Sequence, residues 1–265
     1  MKIENVKLVR GESHADYLAR PGLSFSALKT FIDCPEVYEA MHITGEMQRR
    51  ETEAMSLGTA LHALVLLGPQ AYAQEIVVTP EFGDLRRKAN REKKEAFMEK
   101  VKSGACVISQ DHDMLVRKMA KAVVDCGECL RAINFLDVET TVTWTRDGIS
   151  CKGRPDSFFP GTIVDLKTTN SNSADAFLTE IARRGYARQM AWYCEPLAQI
   201  EQSKGRWCAN IISVPKVIPC VPRVFHLSCG LLEEARRENE IAVQQYRKCL
   251  QSGIWISENR FIQVG

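Results

Sequence analysis

The chain has 265 residues, 45% of them hydrophobic and 26% charged, a length that buries roughly three quarters of the unfolded surface around a substantial core. Disorder and small cross-linked scaffolds are excluded. With 35 Lys plus Arg against 33 Asp plus Glu the formal charge is +2, so any nucleic-acid surface has to come from a local cluster.

Residues 1–10 alternate charged and apolar side chains without a secretory stretch, and no apolar run approaches the ~20 residues of a membrane span. We therefore expect a soluble, cytoplasmic protein with no membrane partner. Ten cysteines, at 34, 106, 126, 129, 151, 194, 208, 220, 229 and 249, are scattered through apolar runs. This usage reads as reduced, buried thiols.

Ser24 and Ser26 offer a cap to a helix over residues 27–31, which Cys34-Pro35 punctuates. Residues 54–67, apolar nearly all round, predict a buried helix closed by Gly68-Pro69, with His62 in its middle. A short strand is expected over 74–78. The stretch 86–102 then holds eight basic residues against three glutamates. It is a solvated arm or a phosphate-binding one, with Arg87, Lys88, Lys93 and Lys94 the candidates for DNA contact. A helix over 111–132 follows.

Two-residue alternation takes over in 138–145, 149–159 and 161–168, with Asp147-Gly148 and Pro160-Gly161 between the runs, which predicts a three-stranded meander. A long helix over 174–199, strands over 207–214 and 221–227, and a helix over 231–250 complete the chain. The expected architecture is one α/β domain over 1–265. Helices with the histidine motif occupy 23–70, and a catalytic core with a mixed central sheet and antiparallel meander, flanked by helices, occupies 138–200.

The meander carries the chemistry. If Asp147-Gly148 is a two-residue hairpin loop, facing residue numbers sum to 295 and Glu139 lies opposite Asp156. If Pro160-Gly161 does the same, they sum to 321 and Asp156 faces Asp165. Three carboxylates in one row repel unless a cation compensates them. Period two also brings Lys167 onto the Asp165 face. Such a set suits phosphodiester hydrolysis, in which carboxylates hold Mg²⁺ or Mn²⁺ and the lysine orients the attacking water.

Gly153-Arg154-Pro155-Asp156, then Ile163-Val164-Asp165-Leu166-Lys167-Thr168, then Gln189-Met190-Ala191-Trp192-Tyr193 resemble the signature of the PD-(D/E)xK nuclease superfamily and its restriction-endonuclease-like fold. Together with Leu57-Gly58-Thr59-Ala60-Leu61-His62 they are similar to the RecE (exodeoxyribonuclease VIII) type of nuclease domain. The resemblance implies metal binding by His62, Asp156 and Asp165, with Glu139 added by the register argument. It also implies Lys167 at the water, and Gln189 with Tyr193 on one helix face beside the site. Arg183, Arg184 and Arg188 are the second candidates for phosphate contact.

The same resemblance implies a bacterial or prophage-encoded Mg²⁺-dependent exonuclease acting 5′-to-3′ on linear duplex DNA to leave 3′ tails for recombination. A ring-shaped homotetramer and a RecT-type annealing partner come with it. The alternatives are an endonuclease or repair nuclease of the superfamily, or a non-catalytic DNA-binding protein on its fold. Asp165 stands where many members carry glutamate. Cys34-Pro35 resembles the first ligand of iron–sulfur members, but no tight cysteine cluster follows the core, so no such cluster is expected.

Overall fold

The computed structural model describes residues 2–48, 52–102, 105–200 and 207–257. Strand β1 (Ile3–Val9) leads into the short helix α1 (His14–Ala19), then α2 (Phe25–Asp33) and α3 (Pro35–His42). Ser24 caps α2 by accepting the Ala27 N–H at 3.2 Å, and Pro35 starts α3 with its φ already helical. Helix α4 (Glu53–His62) continues through a π-helical turn, Ala63–Leu67. There follow α5 (Pro69–Glu75), β2 (Ile76–Thr79), α6 (Lys88–Met98), β3 (Cys106–Ser109), α7 (Gln110–Asp125) and α8 (Gly127–Ala132).

The core strands are β4 (Thr141–Arg146), β5 (Ile149–Gly153), β6 (Ser157–Phe159) and β7 (Thr162–Thr169). Helices α9 (Ala174–Arg184) and α10 (Tyr186–Ile200), strands β8 (Cys208–Pro215) and β9 (Arg223–Leu227), and the long α11 (Cys229–Ser252) complete the fold. Strands β1, β4 and β5 form one antiparallel sheet, β6, β7, β8 and β9 a mixed one, and β2 pairs with β3 in parallel.

Strand β7 is the centre of the mixed sheet, antiparallel to β6 and parallel to β8. Its side chains alternate between two cores. Ile163 packs with Trp192, Phe177 and Ile211 on the α9/α10 side, and Val164 and Leu166 pack with Leu61, Val116 and Met119 on the α4/α7 side. A strand covered on both faces must be apolar in both phases, so the aspartate at position 165 stands out.

Both hairpin registers come out as the turns dictate. Val142 pairs with Gly153 and Arg146 with Ile149, while Ser157 pairs with Val164. The meander is nevertheless not one continuous sheet. Pro155 has no N–H to give a ladder, so the run expected over 149–159 breaks into β5 and β6, which belong to different sheets. The helix expected over 174–199 breaks at Gly185, whose φ of 69° is left-handed and open to glycine at little cost. Cys126, extended at φ −89° and ψ 103°, divides 111–132 into α7 and α8. Most of 74–78 is strand, but it begins at Ile76 because α5 persists to Glu75.

Candidate active site

Asp156 lies at the break between β5 and β6, and the break is what frees its carboxylate from a sheet face. One oxygen, Oδ2, accepts the Leu166 amide at 2.5 Å, and Oδ1 lies 3.4 Å from His62 Nδ1. Glu139, whose amide donates to the Asp156 carbonyl at 3.0 Å, places Oε1 3.4 Å from the same nitrogen. Its φ of 46° is left-handed, a conformation costing a non-glycine residue about 1–3 kcal/mol. Such strain is held where the surroundings fix the side chain, and here Arg154 does so: Nε donates to Glu139 Oε2 at 2.6 Å.

His62 ends α4 and reaches the site from the other side of β7. Its Nε2 lies 2.8 Å from the Leu166 carbonyl, which can only accept, so Nε2 carries the proton. In the neutral ring Nδ1 then offers its lone pair toward the two carboxylates. Anchoring the far nitrogen of a histidine in this way is how proteins orient a metal ligand. Ligand atoms of His62, Glu139 and Asp156 all lie within 4.8 Å of one another, the one such group of three among the described residues.

Electrostatics say the same. Burial, then the charge of Asp165, push Asp156 up to about 7. Burial pulls His62 down, but the charge of Asp156 and its contacts with Glu139 outweigh it and raise it to about 9. Glu139 is held below the usual range, because His62 and Arg154 overcome its burial. Without a cation the cluster holds protons in its place. A buried aspartate, a partly buried glutamate and an aimed imidazole fit a divalent cation that accepts oxygen and nitrogen ligands.

Asp165 does not join this trio. It is 1% exposed and its carboxylate is ion-paired with Lys167, whose ammonium is kept charged, against burial, by Asp165 and Asp156. Lys167 Nζ also lies 5.3 Å from the centre of the Tyr186 ring. Gln189 donates to the Tyr193 hydroxyl at 3.1 Å. Burial raises that phenol well above its ordinary value, and Asp165 and Asp156 lie near enough to add to the effect. The register and the helix spacing thus bring His62, Glu139, Asp156, Asp165, Lys167, Gln189 and Tyr193 into one neighbourhood.

The arginines and lysines expected on DNA divide. Arg188 is engaged by α11, 3.2 Å from Asn239 Oδ1 and 3.4 Å from Glu238 Oε2, and Arg184 pairs with Glu180 at 3.2 Å. Arg183, Arg87, Lys93 and Lys94 are exposed, as is Lys88 beside Glu92. Sequence reasoning missed Arg154, Tyr186 and the residues around α1. Arg154 was in plain view inside the Gly-Arg-Pro-Asp motif, but α1 carries no motif at all.

A mixed sheet flanked by helices, with an Asp…Asp-x-Lys strand pair against a histidine-bearing helix, defines the PD-(D/E)xK class of folds. Residues 24–258 match the family described as "PDDEXK-like domain of unknown function (DUF3799)", and the chain belongs to that family. No curated protein sequence matches it. Among solved structures it is similar to a protein from Eubacterium rectale named a "putative exonuclease", with a TM-score of 0.65 at 16% identity over 98% of this chain and 96% of the other. At that identity the likeness is one of fold. No helix among the described residues is long and apolar enough to cross a membrane.

Proposed function

We propose that this chain is a divalent-metal-dependent deoxyribonuclease that degrades linear duplex DNA from an end. The observation that carries the reading is the His62–Glu139–Asp156 cluster set beside the Asp165–Lys167 pair. His62, Glu139 and Asp156 would hold Mg²⁺, with Mn²⁺ able to replace it, and Asp165 stands next to them. The bound cation would supply charge stabilisation for the phosphorus oxygens and acidify water at the site. Lys167, kept charged by Asp165, aligns the attacking water or steadies the charge that develops on the phosphate. Gln189 and Tyr193 wall the site from the α10 side.

The resemblance to RecE-type nucleases supports a 5′-to-3′ direction, 3′-tailed products for recombination, a ring-shaped homotetramer and a RecT-type annealing partner. Digestion of duplexes labelled separately at each 5′ and 3′ end, with and without Mg²⁺, tests this. Expected results are Mg²⁺-dependent loss of the 5′ label first, sparing of covalently closed circles, and a loss of rate of about 10²-fold to 10³-fold in Asp156→Asn and Lys167→Ala, the scale of removing a group that acts in the transition state. Cutting of closed circles makes it an endonuclease. No cutting by the wild type, with the variants identical to it, overturns the reading in favour of a DNA-binding protein on this fold.

A further inference from the structure

Each of the three side chains at the candidate metal site gives up one of its two donor atoms to the protein. His62 Nε2 is bonded to the Leu166 carbonyl at 2.8 Å, and Asp156 Oδ2 accepts the Leu166 amide at 2.5 Å. Glu139 Oε2 accepts Arg154 Nε at 2.6 Å. One atom from each remains at the common centre: His62 Nδ1, with Asp156 Oδ1 and Glu139 Oε1 each 3.4 Å from it. The first two restraints come from the main chain of β7. The third comes from a side chain, that of Arg154.

Arg154, its side chain 8% exposed, is anchored from behind. While Nε holds Glu139, Nη1 donates to the carbonyls of Glu12 at 3.0 Å and Ser13 at 3.3 Å, in a segment that precedes the family match at residue 24. That segment is clamped in turn. Lys152, 7% exposed, donates to three carbonyls at the other end of α1: Tyr17 at 2.8 Å, Leu18 at 3.1 Å and Arg20 at 2.5 Å. Arg20 pairs with Glu12, and the Tyr17 ring faces both cations, at 4.9 Å for Lys152 and 5.8 Å for Arg154. A guanidinium gripped by backbone oxygens at one end does not follow Glu139 when the carboxylate turns. Turning therefore breaks a charge-assisted hydrogen bond.

Resting on the metal site of the reading above, we propose that Arg154 is a positioning residue that sets which cation the site prefers: by occupying Oε2 it limits Glu139 to a single oxygen. An oxygen already bonded to a guanidinium is a poor ligand for a second cation, because the two positive charges repel. Single-oxygen donors suit Mg²⁺, which keeps several waters, and Mn²⁺, which also takes octahedral sites and accepts imidazole. They underserve Ca²⁺, which takes about six to eight oxygens and accepts both oxygens of one carboxylate. Arg154 thus discriminates against the larger ion through Glu139.

Calorimetric titrations with Mn²⁺ alone and with Ca²⁺ alone, without DNA, test this in wild type, Arg154→Met, Arg154→Lys, and Arg154→Met in a Glu139→Gln background. Loss of the partner that orients a metal ligand predicts Mn²⁺ affinity about 10-fold to 100-fold weaker in Arg154→Met. Ca²⁺ affinity is expected to hold or rise, so the preference for Mn²⁺ over Ca²⁺ falls about 10-fold or more. Arg154→Lys, a compact charge without the fork that spans Glu139 and the two carbonyls, should fall between. In the Glu139→Gln background the Arg154 substitution should leave the preference unmoved, since the coupling partner is gone. The proposal is overturned if Arg154→Met, or Arg154→Lys where the first does not fold, keeps the wild-type preference. It is equally overturned if both ions weaken alike, the mark of a merely structural role, or if the preference shifts as far without Glu139. A wild type that prefers Mn²⁺ as expected but cuts no end-labelled duplex overturns the nuclease reading and leaves this one standing.

Discussion

Single protons decide what the cluster does without metal. His62 in the folded chain titrates near 9, above its usual 6.5, so its contribution to stability is complete below about 6.5 and is lost as pH rises through 9. Asp156 titrates near 7 instead of 3.8, so the folded state also favours its protonated form, and that contribution fades as pH climbs from about 4 through 7. Both groups weaken the metal-free fold in the same direction. A cation needs His62 neutral and the carboxylates ionised, so its binding expels protons and tightens with pH. Thermal melts at pH 6, 7.5 and 9 are expected to show a falling metal-free melting temperature and a Mn²⁺-induced increase that grows with pH. In Asp156→Asn the increase should be small at every pH; a wild-type increase that does not depend on pH would mean these residues do not bind the metal.

At the scale of elements, α10 and β5 are fitted to each other at one glycine. A Cβ on Gly153 would lie 2.6 Å from Tyr193 Cε1 and 2.7 Å from Cδ1, far inside contact distance, with Trp144 Cη2 3.5 Å away, and α10 is tied to β5 beside it by Trp192 Nε1, which donates to the Lys152 carbonyl at 3.2 Å. Gly153→Ala is therefore expected to cost about 1–3 kcal/mol, the range for overpacking, and to displace Tyr193 from Gln189. Adding Tyr193→Leu should restore most of the melting temperature but not cleavage; a single variant as stable as wild type would show that the ring has room to yield. The sequence carried this pairing only in part. Turn chemistry at Asp147-Gly148 and Pro160-Gly161 fixed both registers, and so put Glu139 across from Asp156, because a two-residue loop leaves no freedom of register. What it could not convey was which sheets the two halves join once Pro155 parts them, or that Asp165 stays outside the His62–Glu139–Asp156 trio, since both depend on what packs around the strands. The π-helical turn after His62, strand β1 and the clamp on α1 were hidden for the same reason: they are settled by tertiary partners, such as β4 and Arg154, that local periodicity does not register.

Across the whole molecule, a formal charge of +2 conceals a division. Residues 86–102 carry eight basic and three acidic side chains, a net +5, which leaves −3 for everything else. The basic helix α6 has no buried residue and is tethered by the Phe82 and Phe97 rings, 5.7 Å apart, so the core does not require it. Carboxylates gather where a cation would sit, and the compensating charge stands out in solvent, where a phosphate backbone can reach it. Charge reversal at Arg87, Lys88, Lys93 and Lys94 should leave the melting temperature nearly unchanged, because exposed substitutions cost within about 0.5 kcal/mol. If those four side chains each neutralise one phosphate, the slope of log affinity for duplex DNA against log salt should shallow by about 0.9 per lost contact, up to 3 or 4 in all. Cleavage at saturating DNA should persist, since the variant leaves His62, Asp156 and Lys167 alone. Binding titrations from 50 to 200 mM salt measure this, and a slope that matches wild type would make α6 a solvated arm and move the phosphate contacts to Arg183 and the cleft itself.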